Sequence, residues 1–368
     1  MEILLILAIL MIFYVIQERV YINNCYKNLD VRFSFRDKAV FQGEKTEIIQ
    51  TIENRKIMPL WWIKLQYEIS SNIIFEDSKE EKSLETISRI EEFSVVGYEK
   101  IERKTVFSST KRGCYKLNNI QVSTSDLFVV TRAIMELNSN EELYVFPKQI
   151  PADTLIDKFD KLLGDVITKK QLIEDPFELR GIREYSSYDS MKDINWNATA
   201  KTNSMKVNQY NFTNSEDVVI FLSLGRENSW VEDDTIEEVI SLASSINTQL
   251  SEVGATVKII TDYIENETNI EVESGNGREH DLLVNMELSK IDITETKCNL
   301  STYIRDEILK GNTDPIWIVI SNYTGQDMKD AILEARYNNF QVNWIVVEDK
   351  NVKLSEDRYD EIVLWEVS

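Results

Sequence analysis

A chain of 368 residues with 43% hydrophobic and 10% aromatic side chains is long enough to bury two cores and too apolar to be disordered. Its formal net charge of −22 repels phosphate backbones and no long basic run offsets it, which argues against nucleic-acid binding. A single histidine, His280, and three scattered cysteines, Cys25, Cys114 and Cys298, supply neither a CxxC zinc or redox motif nor a disulfide framework, and fit a reducing compartment.

Ile3 to Ile16 is uninterrupted hydrocarbon. Fourteen helical residues reach roughly 21 Å, short of a bilayer core of about 30 Å. Extension through Gln17, Glu18 and Arg19 to Ile22 supplies the length, with charges that can snorkel to the interface. A signal peptide would want a basic start and a small-residue cleavage site, and neither is present. The reading is an uncleaved single-pass anchor over 1–22. Arg19, Lys27 and Arg32 on its C-terminal side put the remainder in the cytoplasm by the positive-inside rule.

From 28 to 150 the chain reads as short strands of period two, among them Val31–Phe35, Thr46–Asn54, Trp61–Ile69, Lys104–Ser108, Tyr115–Ser123 and Glu142–Pro147. That pattern predicts an antiparallel β-sandwich of immunoglobulin-like size. On a regular strand Trp61 and Trp62 point to opposite faces, one into the core and one outward. Residues 151–215 read as a connector that begins with helical character. From 216 to 368 apolar runs alternate with helical spacing: DVVIFLS, a helix over Thr235–Leu250, ATVKIIT, PIWIVIS, a helix near Gln326–Tyr337, QVNWIVVE and EIVLWEV. Alternation of this kind predicts a mostly parallel, Rossmann-like sheet covered on both faces.

Among motifs that carry chemistry, no glycine-rich phosphate loop, HExxH, GxSxG elbow or EF-hand loop occurs. Two sets of side chains leave a hydrolase reading open, His280 and the carboxylate pair Asp189 and Asp193, although four-residue spacing near Lys192 and Arg183 suits ion pairing better. The densest segment is Asp175 to Tyr210, where charged and aromatic residues interleave without helical or strand period. From Gly164 to Thr213 seven basic residues balance seven acidic ones, a local relief from the chain's acidity.

Within that segment Phe177 with Glu178, then Gly181, Arg183 and Tyr185, then Asp189, Ile194, Trp196, Thr199, Ala200 and Lys201, resemble the signature of the domain of unknown function 58 family. Tyr188 stands where the signature has glycine. Upstream, Arg112, Gly113 and Tyr115 resemble the family's RGxY element. Asp126 to Phe128 resemble its DPFGL-type element without the proline and glycine.

The resemblance implies a membrane-anchored protein with a β-sandwich and a von Willebrand factor A-like domain, associated with MoxR-type AAA+ ATPases. It implies a non-enzymatic scaffold or assembly factor without a cofactor. The residues it points to as partner-binding or structural are Arg180, Arg183, Tyr185, Asp189, Asp193, Trp196 and Lys201. As structure, Trp196, Tyr185 and Ile194 would pack onto the A-like sheet and Arg183 would pair with Asp189 or Asp193. As function, Arg180, Arg183, Lys201 and Lys206 would face a partner. An A-like domain normally carries a D-x-S-x-S metal motif at the end of its first strand. Here those positions are Ser223, Gly225 and Glu227, and Ser321, Asn322 and Tyr323 follow the later strand, so a bound metal is not expected. The alternative role is an outward-facing binding or adhesion protein with a degenerate metal site.

Overall fold

A computed structural model describes residues 2–77, 80–82, 85–126, 128–172, 174–186, 191–202, 204–212, 217–225, 233–265, 268–293, 300–312, 314–348 and 362–366. The chain divides into two compact units, Met1–Lys148 and Gln149–Ser368.

The first unit opens with helix α1, Glu2–Asn24. Ile3–Asn24 is long and apolar enough to cross a membrane, and no side chain from Ile3 to Val20 is buried by the rest of the chain. A core helix would bury one face, and this one does not. Its last turn behaves differently. Tyr21 and the following Cys25 enter the core of the β strands, and the Tyr21 hydroxyl bonds Thr124 Oγ1 at 2.5 Å. The Tyr26 hydroxyl donates to the Val122 and Ala133 carbonyls at 2.8 and 2.6 Å, and burial pushes that phenol up. Lys56 Nζ donates to the Cys25 carbonyl at 2.8 Å, a cation on a helix C-terminus that satisfies an orphan carbonyl.

The strands then run in chain order: β1 Leu29–Phe35, β2 Ala39–Phe41, β3 Lys45–Asn54, β4 Leu60–Ser70, β5 Ile73–Phe75, β6 Glu80–Lys82, β7 Thr86–Val95, β8 Lys100–Ser109, β9 Gly113–Lys116, β10 Asn118–Ser125, β11 Arg132–Leu137 and β12 Glu142–Phe146. They form sheets in the orders β1-β3-β8-β5, β11-β10-β4-β7-β6 and β2-β12-β9, antiparallel except for β2 with β12. Along β3 every second residue is buried, as alternation demands of a strand with one face on a core. Ile48 and Ile52 of β3, Leu65 and Tyr67 of β4, Phe107 of β8 and Val122 of β10 share one apolar cluster.

Trp61 and Trp62 depart from the expectation of opposite faces. Leu60 pairs with Val95 and Ile63 with Phe93, so β4 carries one residue more than β7 across that interval. This bulge lets Leu60 and Ile63 both be buried while Trp61 and Trp62 both stay exposed, at 46% and 55%.

Inside the same unit lies an ionic network. Arg89, 2% exposed, donates to Asp77 through both terminal nitrogens at 2.6 Å and pairs with the buried Glu91 at 2.9 Å. Glu91 also receives Gln50 Nε2, and Arg103 Nε lies 3.0 Å from it as an ion pair. Removing one member of a buried pair strands its partner's charge. Arg89→Met is therefore expected to cost about 3–5 kcal/mol in urea unfolding. Arg103→Ala, whose side chain is 37% exposed, should stay within about 1 kcal/mol.

The second unit contains α2 Ala152–Leu172, β13 Glu174–Glu184, a 3-10 turn Met191–Asp193, α3 Trp196–Thr202, β14 Lys206–Phe212, β15 Val218–Ser223, α4 Asp233–Glu252, β16 Val257–Glu265, β17 Thr268–Gly275, α5 Gly277–Lys290, α6 Leu300–Lys310, β18 Ile316–Ser321, α7 Gln326–Tyr337, β19 Gln341–Glu348 and β20 Ile362–Glu366. Six strands form one sheet, β17-β16-β15-β18-β19-β20, parallel except for β17 at the edge. All six residues of β15 and of β18 are buried, as strands covered on both faces require. One apolar cluster joins the sheet to α2, α4 and α5, and a second joins it to α6 and α7. Residues Leu155, Phe159, Leu162 and Val166 of α2 belong to the first. In the second, Trp317 lies against Phe221 and Phe340 with ring centroids 4.9 and 4.2 Å away.

Candidate functional site

Two features of the second unit bear on function. The first is the crevice at the carboxyl ends of β15 and β18. Strand order reverses there, and the helices that follow, α4 and α7, belong to opposite faces, which opens a gap beyond the strand ends.

Ser223, the first of the degenerate metal-motif positions, ends β15 fully buried. Its hydroxyl donates to Asp262 Oδ2 at 3.0 Å, and the Leu224 amide donates to Asp262 Oδ1 at 2.8 Å. Asp262 is itself fully buried. Gly225 closes the described part of that wall, and Glu227 lies outside the described residues. Across the crevice the Ser321 hydroxyl donates to the Tyr323 carbonyl and accepts from Trp344 Nε1, both at 2.9 Å. Asp327 receives the Tyr323 hydroxyl at 2.5 Å and the Ser301 hydroxyl at 3.2 Å. Burial and the neighbouring Asp262 carboxylate push the Tyr303 phenol up. Asn322, directly after β18, shields both amide atoms from solvent without a partner among the described residues. No group of three His, Cys, Asp or Glu side chains able to hold a metal occurs among the described residues. What the crevice offers at its surface is the exposed Asp327 carboxylate, a group that can receive the donors of a polypeptide.

The second feature is the signature segment. β13 and β14 pair as a separate two-stranded ribbon, with Lys206 on Glu184 at 3.1 Å. Asn195 holds the excursion between them. Its Oδ1 accepts from the Ala198 amide at 2.9 Å, capping α3, and its Nδ2 donates to Asn208 Oδ1 at 2.7 Å. The Thr199 hydroxyl accepts from the Lys206 amide at 3.0 Å, and Ile194, buried, bridges Val207. Trp196 departs from the packing expected of it. It is the first residue of α3 and is 64% exposed, while Ile194 and Asn195 before it and Thr199 after it hold the turn. Lys201 is exposed, Tyr185 half-buried, and Asp193 lies in the 3-10 turn. Arg183 donates to the Glu184 carbonyl at 3.1 Å. Asp189 and the side chain of Arg180 lie outside the described residues. Met191 and Met205 in the same excursion, and Ile182 on β13, are exposed as well.

His280 sits in the first turn of α5 with its ring against Gly275, where a β-carbon would lie 2.4 Å from Nδ1. Its described polar contact is with the Val257 backbone, and Nε2 has no partner among the described residues. Burial lowers its pKa. Sequence reading passed over Asp262 and Asn195. A carboxylate directly after an apolar strand, and an asparagine directly before a helix, were the available signals.

Residues 181–357 match the family described as "Protein of unknown function DUF58". No curated protein matches the chain. Solved structures similar to part of it include Spo0M, a sporulation control protein from Bacillus subtilis, at 14% identity and a TM-score of 0.21, covering 37% of this chain and 56% of that one. The CARDB domain of PF1109 from Pyrococcus furiosus matches at 15% and 0.21, covering 33% and 90%. A cohesin module from a Clostridium perfringens family 33 glycoside hydrolase matches at 12% and 0.22, covering 32% and 95%. Scores this low support no further argument.

Asp262→Ala orphans two donors and is expected to destabilise the second unit by about 1–3 kcal/mol for each, read in urea unfolding. For His280 the folded pKa lies below the unfolded one, so the unfolded chain binds more protons in acid. Stability from this group is complete above about pH 6.5 and is lost as pH falls through the lower folded value. His280→Gln should flatten the fall of the urea midpoint between about pH 7 and pH 5.5.

Proposed function

Because this chain belongs to the DUF58 family, whose function is unknown, we propose a role from its own surfaces: a non-enzymatic, membrane-anchored scaffold or assembly factor that binds protein and acts with a MoxR-type AAA+ ATPase. The observation that carries this reading is Trp196. A tryptophan at the first position of a short helix, held there by Asn195 and Thr199 yet 64% exposed, has the chemistry of an interface anchor. Lys201 and the exposed Met191 and Met205 add a cation and pliable apolar groups in the same excursion, and Ile182 is exposed on the adjoining β13.

The architecture agrees with the von Willebrand factor A-like and β-sandwich readings. A mostly parallel six-stranded sheet with helices on both faces suits the first, and two antiparallel sheets with a common core suit the second. The strand-end crevice, with Ser223 and Asp262 tied to each other beneath it and Asp327 exposed at its edge, would recognise polypeptide donors through Asp327 without a metal. The exposed apolar α1 supports a single-pass anchor, and the basic residues after it support a cytoplasmic location for the remainder.

The test is co-purification of the full chain, solubilised in detergent, with a MoxR-type ATPase in the presence of ATP, ADP or no nucleotide. Complex formation is expected. Trp196→Ala should weaken it at least about tenfold while leaving the unfolding midpoint unchanged. Absence of a complex in every nucleotide state would sink the reading. Digestion of a C-terminal tag by protease added outside intact cells would remove the cytoplasmic part of it.

A further inference from the structure

We propose that the first unit is seated on the lipid bilayer beside α1, with the Phe128–Val130 loop and the Trp61–Trp62 pair in the interfacial layer. The proposal rests on reading α1 as a membrane anchor and adds to that reading a second point of lipid contact.

Depth is the first argument. Tyr14 lies inside the apolar run Ile3–Ile16, and the Phe128 ring contacts the Tyr14 ring at 5.9 Å between centroids. A group in ring contact with Tyr14 shares its level in the membrane. One turn further along, the Thr131 hydroxyl donates to Glu18 at 2.8 Å, and beyond it Tyr21 meets Thr124. Contacts at Tyr14, Glu18 and Tyr21 therefore lay this loop and the adjoining strand ends along about the last three turns of α1. The fourteen-residue apolar run is too short by itself, at roughly 21 Å against about 30 Å. The rest of the length comes from residues that reach into the interfacial layer, Gln17 and Glu18 among them, and Thr131 on Glu18 holds the loop at that level.

Composition is the second argument. Phe128, Val129 and Val130 are 50%, 47% and 67% exposed, three consecutive apolar residues on a loop where water would cost them most. The loop is built to hold them out. Asp126, fully buried, accepts the Val130 and Thr131 amides on one oxygen at 2.8 and 3.0 Å. Val129 adopts φ 58°, a left-handed conformation that β-branched residues avoid. A glycine would take that backbone freely but would present no apolar side chain.

The bulge in β4 supplies the rest. Trp61 and Trp62 line a groove of about 600 Å³ with Val129 and Phe93, and Lys64, Arg132 and Glu92 also border it. Tryptophan, apolar in body with one polar N–H, collects at membrane interfaces, and lysine and arginine there meet lipid phosphates. A protein partner is the competing occupant. Contact with Tyr14 favours lipid, because lipid is what surrounds Tyr14 once α1 is in a bilayer.

The experiment uses the full chain in phosphatidylcholine–phosphatidylglycerol vesicles with ordinary or acyl-brominated lipids. Vesicle flotation is measured in parallel. The emission of Trp61 and Trp62 is the difference between wild type and Trp61→Phe/Trp62→Phe. Brominated lipid should remove most of that difference, and Phe128→Trp in the otherwise wild-type chain should add emission that brominated lipid removes. Neither expected loss, in vesicles that float with the chain and with aqueous iodide quenching both sets of tryptophans, overturns the seating and leaves the anchor standing. Failure of the chain to float overturns both.

Discussion

An apolar helix that the chain leaves largely uncovered, yet whose last turn lies inside a protein core, is the constraint on which the first unit depends. α1 leaves Ile3 to Val20 unburied and then commits Tyr21, and Cys25 beyond its end, to the cluster between the sheets. A joint of this kind cannot swivel like a glycine-rich linker. Lys56 on the Cys25 carbonyl and Tyr26 on β10 and β11 fix the exit of the chain at several points at once. Whatever surrounds α1 consequently orients the β unit, which explains why the Phe128 loop has a defined depth along the helix.

In the second unit the analogous constraint is the pairing of buried strands. β15 and β18 are apolar on both faces, so their polar business is confined to the ends, where Ser223, Asp262 and Ser321 find partners. Helices that diverge to opposite faces leave the crevice there. Asp262, on the neighbouring strand β16, accepts from the Ser223 hydroxyl and the Leu224 amide.

The signature segment combines two tasks that a sequence presents as one. Ile194, Asn195 and Thr199 make the fold of the excursion: one is buried, one caps, and one ties α3 to β14. Trp196 and Lys201 are then carried outward by a turn that does not need them. Density of aromatic and charged residues marked the segment as special, but density does not separate residues that build a surface from residues displayed on it.

Sequence alone determined the apolar helix, the change from period-two strands to alternating strands and helices, and the family, because each rests on local pattern or on a residue string. Tertiary structure decided what depends on partners distant in the chain. One extra residue on β4 opposite β7 turned Trp61 and Trp62 to the same side, and no feature of WWIKLQYEI announces a bulge. Asp262 became part of the crevice only because β16 lies beside β15, 39 residues away, and Phe128 met Tyr14 only because β10 brings residue 128 back to the helix. Period and composition are written along the chain, whereas register and proximity are set by the packing of segments that the sequence keeps apart.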